Sequence, residues 1–231
     1  MKRVLVCEDE DSIREFVVIN LVRSGYEVVD VNCGEDALKA YDEKDGGFDV
    51  ALLDIMMPGI DGMQVCKKIR EKSNTIGIIM LSAKSQEMDK ISCLMSGADD
   101  YITKPFSISE LIARVDAVCR RVNRSGSKPE EASQIVSGPF TLNLKSRTVF
   151  KNGEQIDLTQ VEYQIMEYFF NTALDRSSIL NHIWGESYYG DDKIVDVNIR
   201  RIRMKIEDEP SNPKYILTIW GFGYKWAGGS N

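Results

Sequence analysis

Histidine is nearly absent from this chain: His182 is the only one. That argues against a histidine-ligated metal site and against a Ser-His-Asp hydrolase, both of which need imidazole beside other functional groups. Cysteine is sparse. Cys7, Cys33, Cys66, Cys93 and Cys119 all fall in the first half, with no C-x-x-C pair. An odd, scattered set points to reduced thiols and a cytoplasmic setting. No apolar run approaches the ~20 residues of a membrane span, and the N-terminus enters a β-like run at once, unlike a signal peptide. No membrane partner is expected. A basic excess is lacking too, since the formal net charge is −7, an unpromising total for a nucleic-acid binder. The deficit is uneven, however. Residues 1–121 sum to −6 and residues 122–231 to −1, and Lys193–Lys205 sets five basic residues against one acid, Asp196. Local fields, rather than the average, steer a protein toward phosphates.

With 43% hydrophobic and 28% charged residues the chain is globular, and 231 residues suffice for two ordinary domains. Over 1–121, short β-branched runs at 3–7, 27–31, 48–54, 76–82 and 100–104 alternate with helical patterns at 12–24, 34–45, 63–72, 87–96 and 107–121. Gly25, Gly46-Gly47 and Gly97 follow helical patterns, where a left-handed cap is needed. Five such units predict a doubly wound parallel α/β sheet of flavodoxin-like order, with strand 2 at the edge and strands 1 and 3 adjacent. Residues 122–134, rich in Ser, Gly and Pro without periodicity, read as a flexible linker. Residues 135–228 then carry short β runs at 140–144, 148–150 and 155–158, a hairpin signal at Asn152-Gly153, and a capping box from Thr159 to Glu162. Helices are expected at 160–171, 176–184 and 193–208, before two strands around a Gly-x-Gly turn. Sheet, three helices and a terminal hairpin describe a winged-helix α+β domain.

The strand ends of the first half carry chemistry. The first ends in Glu8-Asp9-Glu10, the third in Asp54, the fourth in Ser82 and the fifth in Lys104-Pro105. Ligands in open α/β sheets sit at such carboxyl ends. Converging carboxylates repel unless a cation joins them. Oxygen ligands without histidine or paired cysteine suit a hard ion, and Mg²⁺ fits best because it accepts one or two carboxylates, phosphate oxygens and waters.

Glu8-Asp9, Asp54 with Met57-Pro58-Gly59, Ser82-Ala83 and Lys104-Pro105-Phe106 together resemble the CheY-like receiver domain of bacterial two-component response regulators. The second half resembles the winged-helix output domain of the OmpR/PhoB group, so the likeness covers essentially the whole chain. It implies that Asp54 accepts a phosphoryl group from a phosphohistidine of a sensor histidine kinase. Asp9 would bind Mg²⁺ directly, Glu8 through water, with Asp54 and the Met56 carbonyl completing the protein ligands. Lys104 would neutralise charge beside a peptide that is cis in the family, and Ser82 and Tyr101 would form a switch pair. Lys90, Asp99, Asp100, Glu110, Arg114 and Arg121 match charged positions through which receivers form homodimers on activation. Exposed pairs are worth only ~0–1 kcal/mol each, so this set would select partner and orientation.

In the second half, Val195, Ile199, Ile202 and Ile206 form one apolar stripe, leaving Lys193, Arg200, Arg201, Arg203 and Lys205 largely off it. A basic helix after a helix–turn suits the major groove. The resemblance adds Asn198 on that helix, and Thr218, Trp220, Tyr224 and Lys225 in the wing, as promoter-DNA contacts. Many relatives carry His where Asn198 stands and a minor-groove Arg where Trp220 stands. Residues 184–192 would face RNA polymerase, although Tyr188-Tyr189-Gly190 could equally be packing aromatics. The connection Asn171–Asp175 is shorter than usual. Asp100–Phe106 and the Trp-Gly-x-Gly-Tyr wing look most similar to regulators of glycopeptide (vancomycin) resistance.

The expected protein is therefore a DNA-binding transcriptional regulator that catalyses only its own phosphoryl transfer and dephosphorylation. Two rivals stand beside it: a phosphorylation-dependent protein-binding adaptor, and a phosphoaspartate hydrolase, which lacks an acidic or histidine general acid beside Asp54.

Overall fold

The computed structural model describes residues 1–83, 87–122, 134–170, 174–186, 188 and 190–229, without the side chains of 87–89 and 121–122. Most of the expected linker, Asn171–Ala173 of the helix connection, and Tyr189 therefore lie outside the described residues. The chain divides into two compact units, Met1–Asn123 and Arg124–Asn231.

The first unit alternates strand and helix: β1 (Arg3–Cys7), α1 (Asp11–Arg23), β2 (Glu27–Val31), α2 (Gly34–Glu43), β3 (Val50–Asp54), α3 (Gly62–Arg70), β4 (Gly77–Ser82), α4 (Glu87–Met95), β5 (Asp100–Thr103) and α5 (Ile108–Val122). All pairings are parallel, in the order β2-β1-β3-β4-β5. Alternate residues face opposite sides of a strand. Val4, Val6, Val50, Leu52, Ile79 and Leu81 accordingly meet Val17 and Leu21 of α1 and Leu111, Val115 and Val118 of α5 in one core. Their neighbours Leu5, Ala51, Leu53, Ile78 and Met80 are equally buried, because a central parallel strand is covered on both faces and reads as a continuous apolar run. Register aligns Cys7 with Leu53, Asp54 with Leu81, and Ser82 with Thr103. The residues that end β1, β3, β4 and β5 thus share one edge of the sheet. Strand β3 begins at Val50 rather than Phe48, and the Asp49 side chain just before it accepts the Arg3 amide at 2.7 Å.

In the second unit an antiparallel sheet runs β6 (Gln134–Ser137), β7 (Phe140–Asn143), β8 (Thr148–Lys151) and β9 (Glu154–Ile156). Then come α6 (Gln160–Phe169), β10 (Leu174–Asp175), α7 (Arg176–Trp184), α8 (Lys193–Ile206), β11 (Ile216–Ile219) and β12 (Gly223–Trp226). A second sheet has the order β10-β12-β11. Two strands are additions to the sequence expectation. Strand β6 is an edge whose residues are exposed or half-buried, so its pattern is weak. Strand β10 is two residues long and exists because Leu174 and Asp175 pair with Tyr224 and Gly223. The capping box forms: the Thr159 amide donates to Glu162 at 2.8 Å and the Glu162 amide to Thr159 Oγ1 at 3.4 Å. Helix α8 buries Val195, Ile199, Ile202 and Ile206 as its stripe predicts, but also Ile194, Val197, Asn198 and Arg201.

Candidate functional site

At the shared edge of the parallel sheet, Glu8 is fully buried, Asp54 nearly so, and Asp9 exposed. One carboxylate oxygen from each lies within 4.8 Å of the other two. Lys104 enters from the end of β5. Its Nζ donates to Asp54 Oδ2 at 2.7 Å and to Glu8 Oε1 at 2.8 Å, with Glu8 Oε2 at 2.6 Å. The Lys104–Pro105 peptide is cis, and the Lys104 amide donates to the Ser82 carbonyl at 2.7 Å. The Met56 amide donates to Asp54 Oδ1 at 3.1 Å.

Electrostatics follow from that crowding. Burial, reinforced by Asp54, pushes the Glu8 carboxyl up to about 7 despite the Lys104 ammonium. Burial alone would lower the Lys104 ammonium, but its hydrogen bonds to Asp54 and Glu8 outweigh this and hold it above the ordinary value. One ammonium facing three carboxylates leaves a negative excess. A hard cation offered two carboxylates, a backbone carbonyl and room for water on the exposed Asp9 side fits this donor set.

The other receiver positions fall as follows. Ser82 ends β4 and is buried. Tyr101 is buried in β5, and Lys90 Nζ stands 5.1 Å from its ring centroid. The charged set expected to form a pairing surface divides by burial. Asp99, Asp100 and Arg114 are buried and paired inside the unit: Arg70 Nη2 donates to Asp99 at 2.6 Å, and Arg114 reaches Asp100 at 3.1 Å and Glu110 at 2.8 Å. A charge leaves water only with a partner, so these groups meet their own chain rather than solvent. The Arg121 side chain lies outside the described residues.

In the second unit, the basic helix divides into two kinds of cation. Lys193 and Arg200 are exposed. Arg201 instead turns inward, its Nε 2.9 Å from Glu162 Oε1, and Lys205 Nζ lies 2.7 Å from Glu162 Oε2. Asn198 is fully buried and donates to the Ile194 carbonyl at 2.8 Å. Asn198 and Arg201 are thus withdrawn from the surface on which DNA contacts were expected. Arg203 donates to the Ile216 carbonyl at 2.7 Å and to Thr218 Oγ1 at 2.9 Å. Tyr224 is buried as well. Its hydroxyl donates to Asp196 at 2.5 Å, and Arg176 and Arg203 lie over its ring. Burial, then the Asp196 bond, pushes that phenol up to about 12. Trp220 is 92% exposed at the hairpin tip, and Lys225 is exposed. Tyr188 packs on Trp184, ring centroids 6.2 Å apart.

Residues that the sequence reading passed over do much of the positioning. Glu162 showed itself only as a cap, and Asp196 only as the lone acid in a basic run. Glu207 accepts the amides of Lys214, Tyr215 and Ile216 at 2.8–2.9 Å and so fixes the start of β11. Nothing local in the sequence marks it.

Residues 4–116 match the family model for the response regulator receiver domain, and residues 153–226 match that for the transcriptional regulatory protein C terminal. A sensory transduction protein, RegX3, of Mycobacterium tuberculosis is 40% identical over 233 residues, covering 99% of this chain and 100% of the relative. The chain belongs to the response regulators. It is a two-component transcription regulator with a receiver and a winged-helix DNA-binding domain of OmpR/PhoB type. Among solved structures it is similar to a RitR mutant, with 26% identity and a TM-score of 0.79 over 99% of this chain and 100% of that one. It is also similar to DrrB, an OmpR/PhoB homolog of Thermotoga maritima, with 32% identity and a TM-score of 0.51 over the same shares. Among the described residues no helix is long and apolar enough to cross a membrane.

Proposed function

We propose that Asp54 accepts a phosphoryl group from a phosphohistidine of a sensor histidine kinase, and that the modified receiver promotes dimerisation and promoter binding. The observation that carries this reading is Lys104 Nζ bridging Glu8 and Asp54 within a three-carboxylate cluster. Phosphoryl transfer demands positioning and charge neutralisation more than covalent chemistry. Asp54 presents the nucleophilic oxygen, and the Met56 amide and Lys104 orient its carboxylate. Lys104 also opposes charge that builds on the transferred group. Glu8, Asp9, Asp54 and the Met56 carbonyl would hold Mg²⁺, which when bound offsets the negative charge of the carboxylates and of phosphate oxygens. Ser82 would donate to a phosphoryl oxygen, and Tyr101 would respond in β5.

Helix α1 begins beside the acids and exposes Phe16, Ile19 and Val22 at three-residue spacing, an apolar stripe suited to docking the kinase. Lys90, Glu110 and Arg121 remain for selection of a second copy. On DNA, the exposed Lys193, Arg200 and Lys225 reach phosphates or guanine edges, while residues 184–192 face RNA polymerase. The boundaries 1–121, 122–134 and 135–228 belong to this reading, as does a cytoplasmic location. The likeness to glycopeptide-resistance regulators rests on Asp100–Phe106 and the wing motif alone, and promoter mapping decides it.

Asp54→Ala should abolish labelling by a radioactive small phosphodonor such as acetyl phosphate, with the fold retained by circular dichroism. Persistent stoichiometric labelling of that variant would overturn Asp54 as the acceptor.

A further inference from the structure

The wing ends in a side chain that no packing explains. Trp220 is 92% exposed and Phe222, two residues on, is 48% exposed. Between them Gly221 takes φ +76°, and a Cβ built there meets nothing within 4 Å. A tryptophan left bare in water forfeits the ~1.5–3 kcal/mol that burying a large apolar side chain returns. The tip is nonetheless held firmly. Strands β11 and β12 pair across Thr218–Tyr224 and Ile219–Gly223, β10 closes the other edge of β12, and the Phe222 amide donates to the Ile219 carbonyl at 3.0 Å. The hairpin is also tied to α8 by Arg203 on Ile216 and Thr218 and by Tyr224 on Asp196. Helix and wing therefore present themselves to one ligand as a unit.

We infer that Trp220 acts as an apolar wedge against the minor groove of the bound duplex, unstacking a base step and bending the DNA. This rests on the reading that α8 lies in the major groove. The occupant follows from charge. From Lys214 to Trp226 the hairpin carries Lys214 and Lys225 and no acid, a segment complementary to a polyanion rather than to a neutral protein face. With a helix filling a major groove, the tip of a hairpin beside it crosses the phosphate ridge and meets the neighbouring minor groove. Apolar side chains inserted there part base steps and kink the duplex toward the major groove. An indole cannot read the groove by charge, but it offers the largest stacking surface of any side chain, and aromatic stacking on bases tolerates many sequences. Trp220 would thus select deformable steps by their cost of bending rather than by base-edge hydrogen bonds. Phe222 would widen the apolar tip.

The test uses the full chain, treated with beryllofluoride, on a duplex selected from a random-sequence pool. The duplex carries end dyes for bending and 2-aminopurine beneath the wing for unstacking, while guanine N7 protection reports the major-groove contact. Wild type should shorten the end-to-end distance and brighten 2-aminopurine. Trp220→Phe should keep much of both. Trp220→Ala should lose both and weaken binding about tenfold, with guanine N7 protection intact at saturation. A bend and a 2-aminopurine signal unchanged in Trp220→Ala would overturn the wedge. So would a loss of affinity with no change in either optical signal, since the tip would then be touching protein or phosphate. Absence of guanine N7 protection in wild type would overturn the major-groove reading of α8 itself.

Discussion

At the scale of single residues, each unit is organised by a carboxylate that meets cations, with opposite consequences. At the sheet edge, Glu8 and Asp54 share Lys104 and leave a negative excess beside the exposed Asp9. In the winged helix, the fully buried Glu162 meets two cations, Arg201 and Lys205, together with the Thr159 amide, and one positive charge is left over. Removing one member of a buried pair strands the other. Glu162→Gln should therefore cost about 3–5 kcal/mol in urea unfolding of the second unit, while phosphodonor labelling of Asp54 continues. Burial alone would raise the Glu162 carboxyl, but Arg201 and Lys205 outweigh it and hold it below its ordinary value. Its stabilisation is complete above the unfolded carboxylate value of ~4.3 and is lost as pH falls through the lower folded value. Acidification over that range should destabilise wild type more steeply than Glu162→Gln, and parallel pH-melting curves for the two would refute the assignment.

Among elements, α8 and the β11–β12 hairpin behave as a single recognition body. Arg203 spends its guanidinium on the Ile216 carbonyl and the Thr218 hydroxyl, and Glu207 holds three successive amides at the start of β11. Glu207→Ala leaves those amides without their acceptor. We expect a loss of about 2 kcal/mol or more, as for a buried charged acceptor, and faster amide exchange confined to β11 and β12. Uniform exchange across α6 to α8 would show that Glu207 acts elsewhere. Neutralising Lys193, Arg200 and Lys225 one at a time should lower affinity for every duplex tested and reduce the salt slope of log Kd by about 1 each. A slope unchanged in Lys225→Gln would remove that side chain from the phosphate contacts.

For the whole molecule, two cores tie regulation to ligands rather than to folding. The acidic edge is short of positive charge, so Mg²⁺ at concentrations well above its Kd should raise the melting temperature of the first unit by mass action and leave the second unchanged. Asp9→Asn should relieve the repulsion, stabilise the metal-free unit and blunt its response to Mg²⁺, as read by calorimetry. A full response in that variant would take Asp9 out of the ligand set.

The sequence alone determined the two-unit plan, the βα alternation and the placing of Glu8, Asp9, Asp54, Ser82 and Lys104 at strand ends. These were legible because hydrophobic period, turn residues and strand-end chemistry are local signals. Capping was legible for the same reason, through Thr159 and Glu162. Tertiary structure decided which charges stay at the surface. Asp99, Asp100, Arg114, Asn198 and Arg201 have the composition of an exposed face, yet each is turned inward by a partner distant in sequence or one helical turn away. Periodicity reports which way a Cα faces, not whether a long cationic side chain curls back to a buried acid. The short strand β10 and the role of Glu207 are likewise set by contacts across the fold. Trp220 shows the converse, for residue type does not distinguish it from Trp226 of the same wing, yet Trp220 is left in water while Trp226 is half-buried.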